Sequence, residues 1–159
     1  MNEKKENGFV MRRTEALAQV LLASRPDLTI MSAPANAGVD LIVSIVRQKV
    51  NSFNHFGVIL KGTAKEVKNL QDARHVLMSL IPPESAHKSL SMPICVFFFS
   101  MIGDRGYYSW VRAPVTSEGV PRLRDYADFE CKRLDQAALQ AIVDDVDSYF
   151  DALSRVLVS

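Results

Sequence analysis

The segment Ile94-Cys95-Val96-Phe97-Phe98-Phe99 is apolar at every position, and it constrains the fold more than any other stretch of the chain. A strand with one wet face alternates apolar and polar residues, because successive side chains point to opposite sides. An unbroken apolar run predicts instead a strand buried on both faces, with a layer packed on each side of its sheet. The run is far shorter than the roughly 20 apolar residues a membrane-spanning helix needs, so no membrane partner is expected.

The flanking sequence supplies those layers. From Phe9 to Ser24, Val10, Leu17, Val20, Leu21 and Ser24 share one side at helical spacing, and Arg25-Pro26 ends the helix. Leu28 to Met31 reads as a short strand, and Ser32 to Gly38 as a loop. Val39 to Val46 and Phe56 to Lys61 read as paired strands across a polar connection from Arg47 to His55. Ala64 to Leu80 reads as a helix with Val67, Leu70, Arg74, Leu77 and Met78 on its stripe, stopped by Pro82-Pro83. After the apolar run, Gly103-Asp104-Arg105-Gly106 turns the chain and Tyr107 to Val111 returns antiparallel. A last helix starts near Asp135 as N-cap, with Leu139, Ile142, Val143, Val146, Phe150, Leu153 and Leu157 in one stripe. This order predicts an α/β fold, a three-layer sandwich around a mixed β-sheet with a C-terminal helix.

A chain of 159 residues suits a single domain, assigned to residues 9–159 behind a disordered, solvated tail at residues 1–8. The apolar fraction of 48% and charged fraction of 23% exclude a disordered or collagen-like chain. The charged start, Met1 to Asn7, is followed by no apolar signal region, which predicts a cytoplasmic protein. Cys95 and Cys131 form neither a CxxC pair nor a disulfide framework, which argues against thiolate metal binding. Residues 1–124 hold 16 Lys and Arg against 10 Asp and Glu, whereas residues 125–159 hold 3 against 8. A basic body admits nucleic acid as a partner without requiring it.

Candidate chemistry lies in the first half. Asp40 opens an otherwise apolar strand, Lys61 closes another before Gly62-Thr63, and Glu15 stands on the first helix beside Ala18 and Leu22. If the two strands pair, Asp40 and Lys61 come to neighbouring strands at one end of the sheet; taken singly, each is an ordinary solvated strand end.

In that order, Glu15-x-x-Ala18-x-x-x-Leu22, Gly38-Val39-Asp40 and Val58-Ile59-Leu60-Lys61-Gly62-Thr63 resemble the motifs of the restriction-endonuclease-like PD-(D/E)xK superfamily. The chain is most similar to the bacterial domain of unknown function 4365 family, from its first helix through Pro93-Ile94-Cys95-Val96 and an aromatic strand like Tyr107-Tyr108-Ser109-Trp110. The resemblance implies a core running helix, three strands, helix, strand. It implies Mg²⁺ held by Asp40 and, more weakly, Glu15, with Lys61 positioning or deprotonating an attacking water. Ile59 departs from the pattern: it stands where the superfamily has Glu, Asp or Gln, and isoleucine has no lone pair for a metal. Glu66 is the nearest acid by sequence that could substitute, against an ordinary role as a helix-terminal charge.

Three readings follow. The resemblance implies a nuclease-like domain of a bacterial defence or mobile-element type, non-catalytic or weakly active, with a weak Mg²⁺ site or none. An active Mg²⁺-dependent nuclease cutting DNA phosphodiesters is the alternative. A protein-interaction module without a nucleic-acid role is the third; in an α/β protein unrelated to the nucleases, Asp40 and Lys61 would merely form a structural pair. Lys65 and Lys68 join Lys61 as candidate phosphate contacts or form a solvated helix face. His55, His75 and His87 show no ligand spacing, and Tyr107, Tyr108 and Trp110 either stack bases or pack in the core. The acidic C-terminal helix, with Asp144, Asp145, Asp147 and Asp151, would repel nucleic acid and either closes over the sheet or meets a protein partner or second copy.

Overall fold

The apolar run becomes the centre of a mixed sheet. In the computed structural model, which describes residues 3–47, 54–81, 87, 89–117, 119–126 and 130–158, the elements are α1 (Glu3–Ala23), β1 (Leu28–Ser32), β2 (Leu41–Ile45), β3 (Asn54–Thr63), α2 (Leu70–Leu80), β4 (Ile94–Ser100), β5 (Arg105–Val115), β6 (Arg122–Asp125), β7 (Lys132–Leu134) and α3 (Gln136–Val158). The seven-stranded sheet is ordered β1-β2-β3-β4-β5-β6, with β7 also paired to β5. Among the described residues, only β3 and β4 pair in parallel, with Gly57 opposite Ile94 and Thr63 opposite Ser100. That parallel step requires a crossover, and α2 lies within it.

β4 is buried at all seven positions and serves two cores by strict alternation. Cys95, Phe97 and Phe99 join Phe56, Val58 and Leu60 beneath Ala18 and Leu22 of α1 and Leu139, Ile142, Val143 and Val146 of α3. Ile94, Val96 and Phe98 join Ile59 beneath Ala73 and Leu77 of α2. Helices therefore flank both faces, consistent with a three-layer α/β sandwich. In the strand register, Phe99 lies between Gly62 of β3 and Gly106 of β5. A Cβ added at Gly106 would come within 2.8 Å of the Phe99 ring, and one at Gly62 would collide with Thr14 Oγ1 of α1.

Polar ties fix the helices. The Asp135 carboxylate accepts from the Ala138 N–H at 2.8 Å, the expected N-cap of α3. Arg25 donates to both oxygens of Asp27 and to Gln140 of α3, joining the α1–β1 turn to the last helix. Arg47, after β2, pairs with Asp147 at 2.8 Å and with Asp151 at 3.2 Å. The basic body and the acidic helix thus neutralise each other in part, and two of the four helix acids face a cation of the same chain rather than only solvent. Gly103 and Asp104 take positive φ values of 80° and 51° in the β4–β5 turn, as a tight hairpin requires.

Several boundaries differ from the sequence reading. α1 begins at Glu3 rather than Phe9, so the helix takes in residues 3–8 that read as a tail; Lys and Glu favour helix without needing a buried face. α2 begins at Leu70 rather than Ala64, because Asn69 is its cap and accepts from the Asp72 N–H at 2.8 Å. Leu70 and Met78, read as part of the buried stripe, are about half exposed, at 47% and 49%. β6 and β7 were not expected: Arg-Leu-Arg-Asp and Lys-Arg-Leu are short edge strands with little apolar pattern. The stop at Pro82-Pro83 and residues 48–53 of the polar connection lie outside the described residues.

Candidate functional site

The approach to β2 is built from small residues. Ala33-Pro34-Ala35-Asn36-Ala37-Gly38 turns through two left-handed positions, Asn36 (φ 66°) and Gly38 (φ 91°), and delivers Asp40 to the side of β3. There the Asp40 N–H donates to the Val58 carbonyl at 2.9 Å, and its own carbonyl accepts from Ala33 at 2.9 Å. Its carboxylate Oδ2 accepts from the Leu60 N–H at 2.7 Å. The side chain thus supplies to β3 the acceptor that a neighbouring strand's carbonyl would otherwise provide.

Ile59 and Lys61 lie two apart on β3 and so share the face turned towards α2, while Leu60 and Gly62 face α1 and α3. Asp40, Ile59 and Lys61 line one cavity of about 300 Å³ with the small-residue loop. The structure therefore brings two of the three sequence candidates together, with Ile59 lining the same cavity. Glu15 is not among the residues lining that cavity: it is exposed on α1, which packs over the opposite face at Gly62.

Mg²⁺ is usually held by one or two carboxylates together with waters and substrate phosphates. This cavity offers the Asp40 carboxylate alone, with Oδ2 already engaged by Leu60. These residues do not make a site that holds the ion by protein oxygens. Among the described residues, no three His, Cys, Asp or Glu side chains come together as a metal group. Glu66 lies before α2 rather than in its first turn, and is exposed. Its segment is held by Thr63 Oγ1, which accepts from the Lys65 N–H, and by the Ser100 hydroxyl, which donates to the Lys65 carbonyl. Lys65 and Lys68 are exposed in this same connection after Lys61, so they do not form a helix face.

The remaining candidates are mostly structural. Tyr107 and Tyr108 are buried, and Trp110 packs partly against the α1–α3 core. Burial pushes the Cys95 thiol far up and the Cys131 thiol up to about 11, which suits inert core residues rather than nucleophiles. α3 closes over the sheet through Leu139, Ile142, Val143 and Val146, while Leu157 and Val158 at its end are exposed. Sequence reasoning missed Arg112, whose buried guanidinium donates to Asp125 at 2.8 Å and to the carbonyls of Leu90 and His87. It also missed a second cavity lined by Tyr126, Glu130 and Asp145, residues too far apart in sequence to signal one another. No helix is long and apolar enough to cross a membrane among the described residues.

No family model, curated protein or solved structure matches this chain.

Proposed function

We propose that this chain is a nuclease-like domain of the PD-(D/E)xK kind that has lost most or all catalytic capacity and contacts nucleic-acid phosphates through Lys61. One observation carries the reading. Asp40 and Lys61 meet in one cavity, as a nuclease core needs, yet Ile59 supplies apolar surface where a second acid belongs. The element order α1, β1 to β3, α2, β4 agrees with the helix, three strands, helix, strand that the resemblance implies. Lys65 and Lys68 extend the positive charge beyond Lys61. Within this reading Lys61 pairs with a phosphate, and Asp40 holds the β3 edge that carries it.

The test is incubation with supercoiled plasmid, linear duplex, single-stranded DNA and RNA, each with Mg²⁺ or Mn²⁺. Wild type should cut none of them at an appreciable rate. It should bind at low salt, lose binding steeply as salt rises, and lose it in Lys61→Ala, because phosphate contacts release counterions. Ile59→Glu should raise Mg²⁺ affinity by restoring an oxygen on the Lys61 face. Robust wild-type cleavage abolished by Lys61→Ala would overturn the proposal in favour of an active DNA-cleaving enzyme. A protein-interaction role is favoured by one observation, the exposure of Leu157 (77%) and Val158 (87%) at the end of α3. Absence of nucleic-acid binding at every salt concentration would select it.

A further inference from the structure

Two strands share the outer side of β5. β7 pairs with Gly106 to Tyr108, and β6 pairs with Arg112 to Val115, leaving Ser109 to Val111 between them. At this gap, bounded by α3 through Asp145, lies a cavity of about 190 Å³. A cavity of about 150 Å³ admits benzene, so this one has room for one compact organic molecule. Its lining includes three aromatic residues, Tyr108, Trp110 and Tyr126, and three charged ones, Glu130, Lys132 and Asp145. It is separate from the Asp40–Lys61 cavity and shares no residue with it.

We propose that this cavity binds a small organic cation of the alkylammonium class, with Tyr108, Trp110 and Tyr126 receiving its alkyl groups and Glu130 and Asp145 balancing its charge. Two carboxylates against one ammonium give the lining a net negative charge, which disfavours an anion. Among the described residues, neither Glu130 nor Asp145 is ion-paired or hydrogen-bonded through its side chain, although Lys132 is near enough to act on Asp145 through space. Burial raises the Asp145 carboxyl above its usual range, Lys132 opposes the rise, and Asp144 adds to it. The Tyr108 phenol is also raised, first by burial and further by neighbouring negative groups that include Asp145, Glu130 and Asp135. Both effects mark a partly desolvated region of negative potential, and a bound cation relieves each.

The rings decide which cation. A hard metal ion needs several oxygens, and no three acidic groups converge here among the described residues. Aromatic faces attract alkylammonium groups through the ring quadrupole and bury their methyl surface at the same time. Tyr126 already meets one cation: the Arg124 guanidinium lies over its ring, 5.7 Å from the centroid, adding positive charge beside the cavity, and a ligand must share the ring with it. Lys132 opposes the ligand, and that sets the sign of its variant.

Trp110 is the only tryptophan of the chain, so its fluorescence reports on this cavity without a label. Choline chloride is titrated into the full chain, against sodium chloride at matched ionic strength. A second titration uses dimethylbutanol, the uncharged analogue in which carbon replaces nitrogen. The expected result is a saturable change with choline, and binding about fivefold or more weaker for the alcohol. Asp145→Asn on α3 and Glu130→Gln just before β7 should each weaken choline, whereas Lys132→Ala should tighten it. Circular dichroism identifies a variant that fails to fold, and the other acid variant then decides. No saturable response to choline, an equal response to dimethylbutanol, or folded acid variants that bind as well as wild type would each overturn the proposal.

Discussion

Replacing Asp40, itself exposed, by alanine removes the acceptor for the N–H of Leu60, a residue only 1% exposed. A buried donor left without a partner costs up to about 3 kcal/mol, and the loss falls towards the roughly 1 kcal/mol of an ordinary hydrogen bond to the extent that water enters where the exposed Asp40 carboxylate stood. For a domain of this size each kcal/mol lowers Tm by about 2–4 °C, so Asp40→Ala should melt roughly 2–12 °C below wild type. Asp40→Asn keeps an amide oxygen where Oδ2 lies and exchanges a charged acceptor for a neutral one, so its loss should be about 1 kcal/mol or less. Urea denaturation followed by circular dichroism measures both, with the slope against urea unchanged if the folded and unfolded ensembles are the same. An alanine variant as stable as wild type, or an asparagine variant as unstable as the alanine one, would refute the structural role of this carboxylate. The pair of variants also separates two meanings of any functional loss at Asp40. A defect confined to alanine reports a damaged strand edge, and a defect common to both reports the charge itself.

Three further outcomes follow from the packing. Gly62→Ala should lower stability by about 1–3 kcal/mol, since the added methyl meets Thr14 and Val10 of α1; thermal denaturation reads the shift. Arg25 holds the Asp27 carboxyl below its usual range, mainly by hydrogen bonding, so the pair stabilises the fold above the ordinary carboxylate range and loses that effect as pH falls through the lowered value. The gap in urea midpoint between wild type and Asp27→Asn should therefore be open at about pH 6 and closed well below about pH 3. Cys95 and Cys131, both buried with raised thiols, should resist alkylation at about pH 8 in the native state and react rapidly in denaturant, as mass spectrometry would report.

The parts of the fold legible in the sequence are those in which local pattern and burial agree. The all-apolar β4, the α3 stripe with its Asp135 cap, and the tight turn at Gly103-Asp104 all follow from residue type and spacing alone. Patterns misled where polar tethers decide instead. Val67 continues a helical period with Leu77 yet is buried outside the helix, because Asn69 starts α2 and the Ser100 hydroxyl holds the connection at Lys65. β6 and β7 were illegible because their pairing to β5 is by backbone, and their exposed side chains carry little of the alternation that marks a strand. At the candidate site, the nearness of Asp40 and Lys61 could be read from the expected pairing of β2 with β3. The bond from Leu60 to Asp40 could not, since it depends on how a small-residue loop enters the sheet.

The arrangement around Phe99 has a consequence for how the chain finds its alignment. On a half-wet strand, a slip of one residue drives the apolar side into water, and that penalty fixes the pairing. β4 has no such penalty, being apolar on both sides. The information must come from its neighbours, and Gly106 supplies it as a notch for the Phe99 ring, while the space at Gly62 is taken by Thr14 and Val10 of α1. Slipped by one position, Phe99 would face Tyr107 or Arg105 on β5 in place of that gap. The centre of this sheet is aligned by a side chain that is missing.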